Sequence, residues 1–279
     1  MTTLRAAVIT PVAGRREHLL LQQQGLRRSE HQVDHRVIVA MDQRPVEGLG
    51  TRDVLIRTPT KQRLPLARAR NLGAQAAIAA GADLLIFLDV DCIPAPQLIG
   101  RYLAAGQTCD DLLCGPVHYL DPSGPDGYDL DRLPPPTGHP ARPVPADDQL
   151  LIGGNHALFW SLSFAVTVRQ WTRIGGFDER YEGYGGEDTD FGQQAKTNNI
   201  GLTWVGGAWA FHQHHPTSNP PTQHLDDVIG NAALFRDRWG WWPMQGWLDD
   251  FQRLGLIEWE AAADRWRRVP VSPESESSS

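Results

Sequence analysis

The chain has 279 residues, enough for one large domain or for one domain with an extension. Its net charge of −7 gives no reason to expect a nucleic-acid partner or an anionic membrane. The three cysteines are odd in number and lack metal-site spacing, which argues against a disulfide framework and favours a reducing cytosol. Without a signal peptide or a membrane-length apolar run, we expect a cytoplasmic protein, at most peripheral to a membrane.

The first ninety residues alternate strands with helices. Apolar runs predict strands at 6–11, 36–41, 54–56 and 84–88, and helical patterns predict helices at 15–28 and 64–80. This alternation predicts a parallel α/β sheet. Because no Gly-x-Gly-x-x-Gly motif follows the first strand, an NAD-type Rossmann domain is disfavoured.

The second half of the chain is less regular. Further strands are predicted at 112–117, 163–168, 202–205 and 208–211, with helices at 169–174 and 187–198. Residues 121–145, rich in Pro, Gly and Asp, predict a lid, a binding loop or disorder. We expect a domain at 1–216, a tryptophan-rich helical extension at 217–269 and a disordered tail at 270–279.

An acidic turn follows the most apolar strand. Asp89 and Asp91 come directly after residues 84–88, whose five apolar side chains suit a strand covered on both faces. Ligands bind at the carboxyl edge of open α/β sheets, and Mg²⁺ or Mn²⁺ shared with a diphosphate would balance two acids there. The alternative interpretation is a helix cap, because a helix is predicted to open at Pro94.

Two later clusters, one of acids and one of histidines, also contain side chains that could serve catalysis or metal binding. Glu187, Asp188 and Asp190 stand at the start of a predicted helix, where the helix dipole favours negative charge even without a catalytic role. The segment 212–215, His-Gln-His-His, follows the last predicted strand, and imidazoles there would complete a metal site begun by carboxylates.

Taken in order, these segments resemble the GT-A glycosyltransferases. Residues 85–94 are similar to the metal-binding Asp-x-Asp strand of β-1,4-galactosyltransferases, and 175–190 to their acceptor and catalytic segment. Residues 11–19 are similar to the nucleotide-binding turn after the first strand, and 70–73 match the Arg-Asn-x-Gly segment common in family 2. The resemblance covers roughly residues 5–216.

The resemblance implies an α/β protein of GT-A fold, with a Rossmann-like mixed sheet flanked by helices and a C-terminal helical extension. It implies a glycosyltransferase (a hexosyltransferase) that uses a nucleotide-sugar donor, with UDP-sugar favoured, and Mn²⁺ or Mg²⁺. The acceptor would be a hydroxyl on a saccharide, a peptide, a lipid-linked molecule or a small molecule. Transfer with inversion is favoured, because a single base opposite the leaving group implies it.

Site residues follow from the resemblance position by position. Metal binding is assigned to Asp91, Asp89, His212 and His215, with His214 as the alternative imidazole. Donor contacts are assigned to Pro11, Val12, Arg15, Asp42, Arg70, Asn71, Asp89, Val90, Gly154 and Tyr184. Asp188 is the candidate base, and Glu187 would position the acceptor or the donor sugar. Tyr184 stands where the galactosyltransferases have tryptophan, which leaves the donor sugar and the acceptor open.

Three other interpretations remain open. A retaining GT-A transferase carries a similar Gly-Gly-Glu segment. A metal-dependent nucleotidyltransferase shares the architecture, but usually has a lysine after the first strand that is missing here. A non-catalytic carbohydrate-binding protein would use the six tryptophans at 239–266, but would leave the acids without a shared purpose.

Overall fold

The computed structural model of the protein describes residues 4–51, 53–60 and 63–270, so the predicted tail lies outside the described residues except for residue 270. The chain forms two compact units. The first contains the residues up to Arg180 together with Glu187–His215, and the second contains Tyr181–Gly186 and the chain from Pro216. The sequence placed a boundary at 216, but gave no sign that residues 181–186 belong with the second unit.

The first unit alternates strands and helices along its first half and adds shorter strands later. Its elements are β1 (Ala6–Val12), α1 (Arg16–Arg27), β2 (His35–Ala40), β3 (Asp53–Arg57), α2 (Leu66–Ala79), β4 (Leu84–Leu88), β5 (Cys92–Pro94), α3 (Leu98–Thr108), β6 (Leu112–Cys114), β7 (Val117–Tyr119), β8 (Leu150–Ile152), β9 (Ser163–Thr167), α4 (Val168–Ile174), α5 (Glu187–Thr197), β10 (Leu202–Val205) and β11 (Ala210–His212).

Eight of these strands form one mixed sheet, in the order β3-β2-β1-β4-β9-β6-β10-β8. The first four strands in that order are parallel, as their alternation with helices predicts, whereas β9 runs antiparallel to β4 and β6. Leu85 and Phe87 pack in a core with α2, and Leu84 and Ile86 pack in a second core with α3. The predicted α/β class and the mixed sheet flanked by helices are therefore confirmed.

A small second sheet, in the order β5-β11-β7, begins just after the acidic turn. The prediction that a helix opens at Pro94 is wrong, because Cys92–Pro94 is a strand and α3 begins at Leu98. Pro94 is tolerated because β5 is an edge strand, where a missing N–H costs no ladder hydrogen bond. The pairing of Cys92 with His212 brings the histidine segment beside the acidic turn.

The long Pro- and Gly-rich segment between β7 and β8 has no helix and packs against the small sheet. Tyr128, Leu130 and Leu133 contact the cluster formed by Ile93 and Phe211. Closure of this segment over a donor stays a prediction.

The second unit contains two helices and a hairpin: α6 (Leu225–Trp239), α7 (Gln245–Arg253), β12 (Ile257–Glu260) and β13 (Arg265–Arg268). The sequence indicated a helical extension only, whereas the unit also contains a hairpin. The hairpin follows from the alternation Ile-Glu-Trp-Glu, which buries Ile257 and sets Trp259 against Trp266. Within the described residues, no helix has the length and apolar character needed to span a membrane.

Candidate functional site

Three side chains at the carboxyl edge of the large sheet converge as one metal would require. Asp91 ends the turn after β4, and His212 and His215 come from the end of β11 and the turn beyond it. One ligand atom from each of the three lies within 4.8 Å of the others. Nε2 of His212 is 3.6 Å from Asp91 Oδ1, and Nε2 of His215 is 3.5 Å from Oδ2.

The protonation states of this cluster suit a cation. Burial alone would raise the pKa of Asp91, but contact with His215 and the nearby His212 and Arg15 lower it to about 2. Burial lowers the pKa of His212, which leaves its imidazole neutral with a lone pair available at neutral pH. One carboxylate and two imidazoles form a donor set that fits a divalent transition metal.

Arg15 touches the same carboxylate. Its Nη1 donates to Asp91 Oδ2 at 2.6 Å, the oxygen that also faces His215. Arg15 has a left-handed backbone (φ 46°) at the N-terminus of α1, directly after Gly14 at φ 62°. This tight turn directs the guanidinium across the sheet edge, where it would compete with a cation for that oxygen or contact a bound phosphate.

Asp89 lies outside this cluster and belongs to a second one. Its Oδ1 accepts a hydrogen bond from Arg70 Nη2 at 3.0 Å, and Arg70 Nη1 donates to Glu187 Oε1 at 3.2 Å. Arg70 is buried, and its guanidinium also lies 5.3 Å from the ring centroid of Phe177. Burial raises the pKa of Asp89 to about 6, although Arg70 opposes the shift. The structure thus joins the acidic turn to α5 through one arginine.

Glu187 and Asp188 open α5 side by side but have different partners. Glu187 is fixed by Arg70, whereas Asp188 accepts hydrogen bonds from the N–H and hydroxyl of Thr189 at 2.6 and 3.3 Å. Burial, followed by the charge of Glu187, raises the pKa of Asp188 to about 7. A carboxylate with that pKa can accept a proton near neutral pH.

The predicted nucleotide turn borders a cavity of about 270 Å³. Val12, Leu19 and Asp42 are among its lining residues. Both oxygens of Asp42 are held by backbone N–H groups, of Gly14 at 2.5 Å and Arg44 at 2.9 Å. Pro11 is buried within β1, and Val90 packs against Val12 in the adjoining core.

Asn71 and Gly154 have contacts within the protein that explain their residue types. The Asn71 side chain donates to Phe177 O and accepts from Phe177 N, each at 2.9 Å, and so fixes the segment before α5. A Cβ on Gly154 would lie 2.3 Å from Leu202 Cδ2, so only glycine allows this close approach to β10. His214, the alternative imidazole, lies outside the triad formed by Asp91, His212 and His215. It donates its backbone N–H to the Tyr128 hydroxyl at 3.0 Å.

Tyr184 belongs to the second unit and stacks there on aromatic neighbours. Its ring centroid is 4.6 Å from that of His224, at 17° between planes, and 5.6 Å from that of Trp247. Tyr184 is 39% exposed, which leaves part of the ring available to a ligand. Asn231 fixes the surrounding glycine loop through hydrogen bonds to the carbonyls of Glu182 and Gly185.

Two buried glutamines that sequence reasoning missed hold the acidic turn. Gln22 Nε2 donates to the carbonyl of Asp89 at 2.7 Å, and Thr10 donates to Gln22 Oε1 at 3.0 Å. Gln213 donates its N–H to the carbonyl of Asp91 at 2.7 Å and its side-chain amide to His18 O at 3.1 Å. The only signal for Gln22 was a polar residue on the buried face of α1, and Gln213 was overlooked between histidines.

Comparison with known sequences finds relatives over part of this chain. A family model described as the N-terminal domain of galactosyltransferase matches residues 154–216. Validoxylamine A glucosyltransferases from Streptomyces hygroscopicus subsp. jinggangensis (strain 5008) and subsp. limoneus are each 28% identical over 169 residues. The matches cover 54% of this chain but only 39% and 37% of those proteins, so the chain aligns with well under half of each relative.

Solved structures give the fold. GalNAc-T7, crystallised with UDP, GalNAc and Mn²⁺, matches with a TM-score of 0.62 at 14% identity, over 85% of this chain and 48% of that one. TarS residues 1–349 from S. aureus matches with a TM-score of 0.55 at 12% identity, over 82% of this chain and 65% of that one. The chain therefore has the GT-A glycosyltransferase fold, with a galactosyltransferase-like segment at residues 154–216.

Proposed function

We propose that this protein is a metal-dependent glycosyltransferase that moves a sugar from a nucleotide-sugar donor to an acceptor hydroxyl. The observation that carries the proposal is the convergence of Asp91, His212 and His215 at the ligand-binding edge of a GT-A sheet. A UDP-sugar is the favoured donor and Mn²⁺ the favoured metal, because the structural relative GalNAc-T7 was crystallised with UDP and Mn²⁺.

Donor binding would combine the cavity with the metal cluster. The nucleoside would enter the cavity beside Val12 and Asp42, and Arg15 at the same edge would contact the diphosphate. A divalent cation held by Asp91, His212 and His215 would stabilise negative charge on the departing diphosphate. Because Arg70 already donates to Asp89 Oδ1, we assign the other oxygen of Asp89 to the ribose or the sugar rather than to the cation.

Proton removal from the acceptor is assigned to Asp188. The pKa of Asp188 is raised to about 7 because the side chain is half-buried beside Glu187. Among the described residues, no arginine or lysine donates a hydrogen bond to Asp188. Arg70 acts on Asp188 only through its charge and without a hydrogen bond, so the carboxylate keeps its basicity and can accept a proton as the hydroxyl attacks. One base acting opposite the leaving group gives inversion at the anomeric carbon.

Glu187 is a positioning residue in this proposal. Arg70 Nη1 donates a hydrogen bond to Glu187 Oε1 at 3.2 Å, and the same arginine also donates to Asp89. The donor-side and acceptor-side acids are therefore held at one spacing by a single rigid cation, which favours a well-oriented attack. Within the second unit, we assign stacking on a sugar ring to the partly exposed side chain of Tyr184.

The test is thermal stabilisation by a panel of nucleotide sugars with and without Mn²⁺, on wild type and Asp91→Asn. The panel begins with UDP-glucose and the other glucosyl donors, because both sequence relatives are named as glucosyltransferases. At about a hundred times its dissociation constant, a donor should stabilise by ~2.7 kcal/mol. We expect this stabilisation only with Mn²⁺, and not in the variant.

Two results would contradict the proposal. No stabilisation by any donor would favour a binding protein that recognises carbohydrate through its tryptophans. Release of pyrophosphate, rather than of a nucleoside diphosphate, would favour a nucleotidyltransferase. Validoxylamine A is a first acceptor to try, since both relatives carry its name.

A further inference from the structure

A buried arginine in the segment between β7 and β8 plays no part in the proposed reaction. Arg142 is only 8% exposed. Its guanidinium carbon lies 5.1 Å from the ring centroid of Trp160 and 4.6 Å from that of Trp204. Contacts with two indoles stabilise the cation, but they supply no acceptor for its N–H groups.

Arg142 has no anionic partner in the part of the chain that the structure describes. No carboxylate there forms an ion pair with it, and its Nε and Nη2 are buried without a hydrogen-bond acceptor. Arg70 is also buried and its Nε also lacks an acceptor, but both of its terminal nitrogens meet carboxylates. Buried N–H donors without acceptors lose their hydration without compensation, and the loss is greater on a charged group.

The two unpaired donors form a recognisable pair. Nε–H and Nη2–H point outward from the same edge of a guanidinium and can donate two parallel hydrogen bonds to two oxygens of one group. The indoles interact with the π-faces, so the edge is the part left for a ligand. Carboxylate and phosphate have the matching spacing of oxygens.

The cleft that Arg142 lines contains no acidic side chain among the described residues. Arg142 lines a narrow cleft with Tyr119, His139 and Pro143. Because His139 Nδ1 accepts the N–H of Ala141 at 3.1 Å, its neutral ring carries the proton on Nε2, which adds a donor to the cleft wall. In this conformation the cleft is too tight for a water molecule, so entry of a ligand requires residues 138–144 to shift outward.

We propose that the Nε–Nη2 edge of Arg142 is a binding site for an oxyanion, a carboxylate or a phosphate group. The site lies beside the candidate metal centre, since Tyr119 lines the cleft and its ring centroid is 5.0 Å from that of His212. This proposal does not depend on the proposed transferase activity, and its test needs neither a sugar donor nor a sugar acceptor.

The test follows arginine Nε–H signals by NMR in the ¹⁵N-labelled full chain. Sodium acetate and sodium phosphate are titrated separately against sodium chloride of matched ionic strength, and Arg142→Lys identifies the Arg142 signal by its loss. We expect a saturable downfield shift of that signal with acetate, phosphate or both. Arg101 is the internal control, because its Nε already donates to Gly206 O at 2.9 Å and its signal should not move.

The two anions separate the two ligand sources: a response to acetate alone indicates a carboxylate group, and a response to phosphate alone a phosphorylated molecule. Binding to Arg142→Lys, followed by thermal stabilisation because its Nε–H signal is lost, should be weaker by roughly tenfold, since lysine cannot form the paired hydrogen bonds. If that variant does not fold, thermal stabilisation of the wild type by either anion beyond that by chloride is the second readout. No shift, or a shift equal to that of chloride, would overturn the proposal.

Discussion

Asp89 and Asp91 are separated by one residue in the same turn, but their environments differ. Asp91 faces two imidazoles and Arg15, and its pKa is lowered to about 2. Asp89 faces Arg70 on α2, and burial raises its pKa to about 6. The two carboxylates of this Asp-x-Asp turn are therefore not chemically equivalent.

The difference arises from which element each carboxylate meets. The pairing of β5 with β11 brings His212 to Asp91, whereas α2 supplies Arg70 to Asp89. The Asp91 cluster combines one carboxylate with two imidazoles and suits a cation. The Arg70 cluster has already satisfied two acids with a buried guanidinium and serves as a rigid support.

The largest expected effect is from Arg70→Met, which should leave the half-buried Asp89 and the buried Glu187 without a counter-ion. We expect a loss of about 3–5 kcal/mol in the free energy of unfolding, because removing one partner leaves uncompensated buried charge. Urea denaturation at neutral pH measures it. The control is Arg28→Met, whose exposed ion pair with Asp131 should contribute at most about 1 kcal/mol. Equal losses in both variants would show that Arg70 is not the support.

Asp188 adjoins the Arg70 cluster but accepts its hydrogen bonds from Thr189 and not from Arg70. Asp188→Asn should lower kcat by about a thousandfold, the scale of lost general-base catalysis, while metal-dependent donor binding stays nearly intact. Single-turnover transfer and donor titration calorimetry measure the two effects separately. Loss of donor binding in this variant would contradict the role of base.

The pH dependence of the transfer rate tests the same role of Asp188 as the base. Burial raises the pKa of Asp188 to about 7, and the base acts in its ionised form. The rate of transfer should therefore rise as pH increases through about 7 and fall below it. A rate that is flat from pH 5 to about 8 would assign the base to another group, since an ordinary carboxylate is already ionised there.

The two acids of the turn can be compared directly. Asp91→Asn should weaken Mn²⁺ binding by more than about a hundredfold, because it removes a ligand, whereas Asp89→Asn should weaken it by about tenfold or less, because Asp89 acts from outside the triad. Calorimetry or the loss of the free Mn²⁺ EPR signal measures both affinities. Similar losses in the two variants would mean that both acids bind the metal.

The smallest expected effect has the opposite sign. Arg15→Gln should strengthen Mn²⁺ binding by about tenfold without nucleotide, because Arg15 holds the oxygen of Asp91 that faces His215. Arg16→Gln is the matched control, since Arg16 pairs with Glu47 instead. Unchanged or weaker binding in Arg15→Gln would show that Arg15 does not compete with the metal.

Local patterns in the sequence predicted much of the frame. The apolar run at 84–88 indicated a strand buried on both faces, because successive side chains point to opposite faces of the sheet and all five are apolar. The short strand at Cys92–Pro94 was missed, since a proline in sequence resembles the start of a helix. The hairpin of the second unit was missed as well, because four-residue strands give a weak periodic signal.

The sequence by itself determined the class of fold and the types of residue available at the sheet edge, because strand and helix periods and turn chemistry are local properties. Only the tertiary structure decided that Asp91 joins His212 and His215, that Asp89 and Glu187 share Arg70, and that Arg142 keeps a donor edge unpaired. These partners lie tens to more than a hundred residues apart in the chain. Strand pairing brings the partners of Asp91 together, and helix packing brings the partners of Arg70 together. The charge of each acid depends on its neighbours in space, so its role follows from the fold.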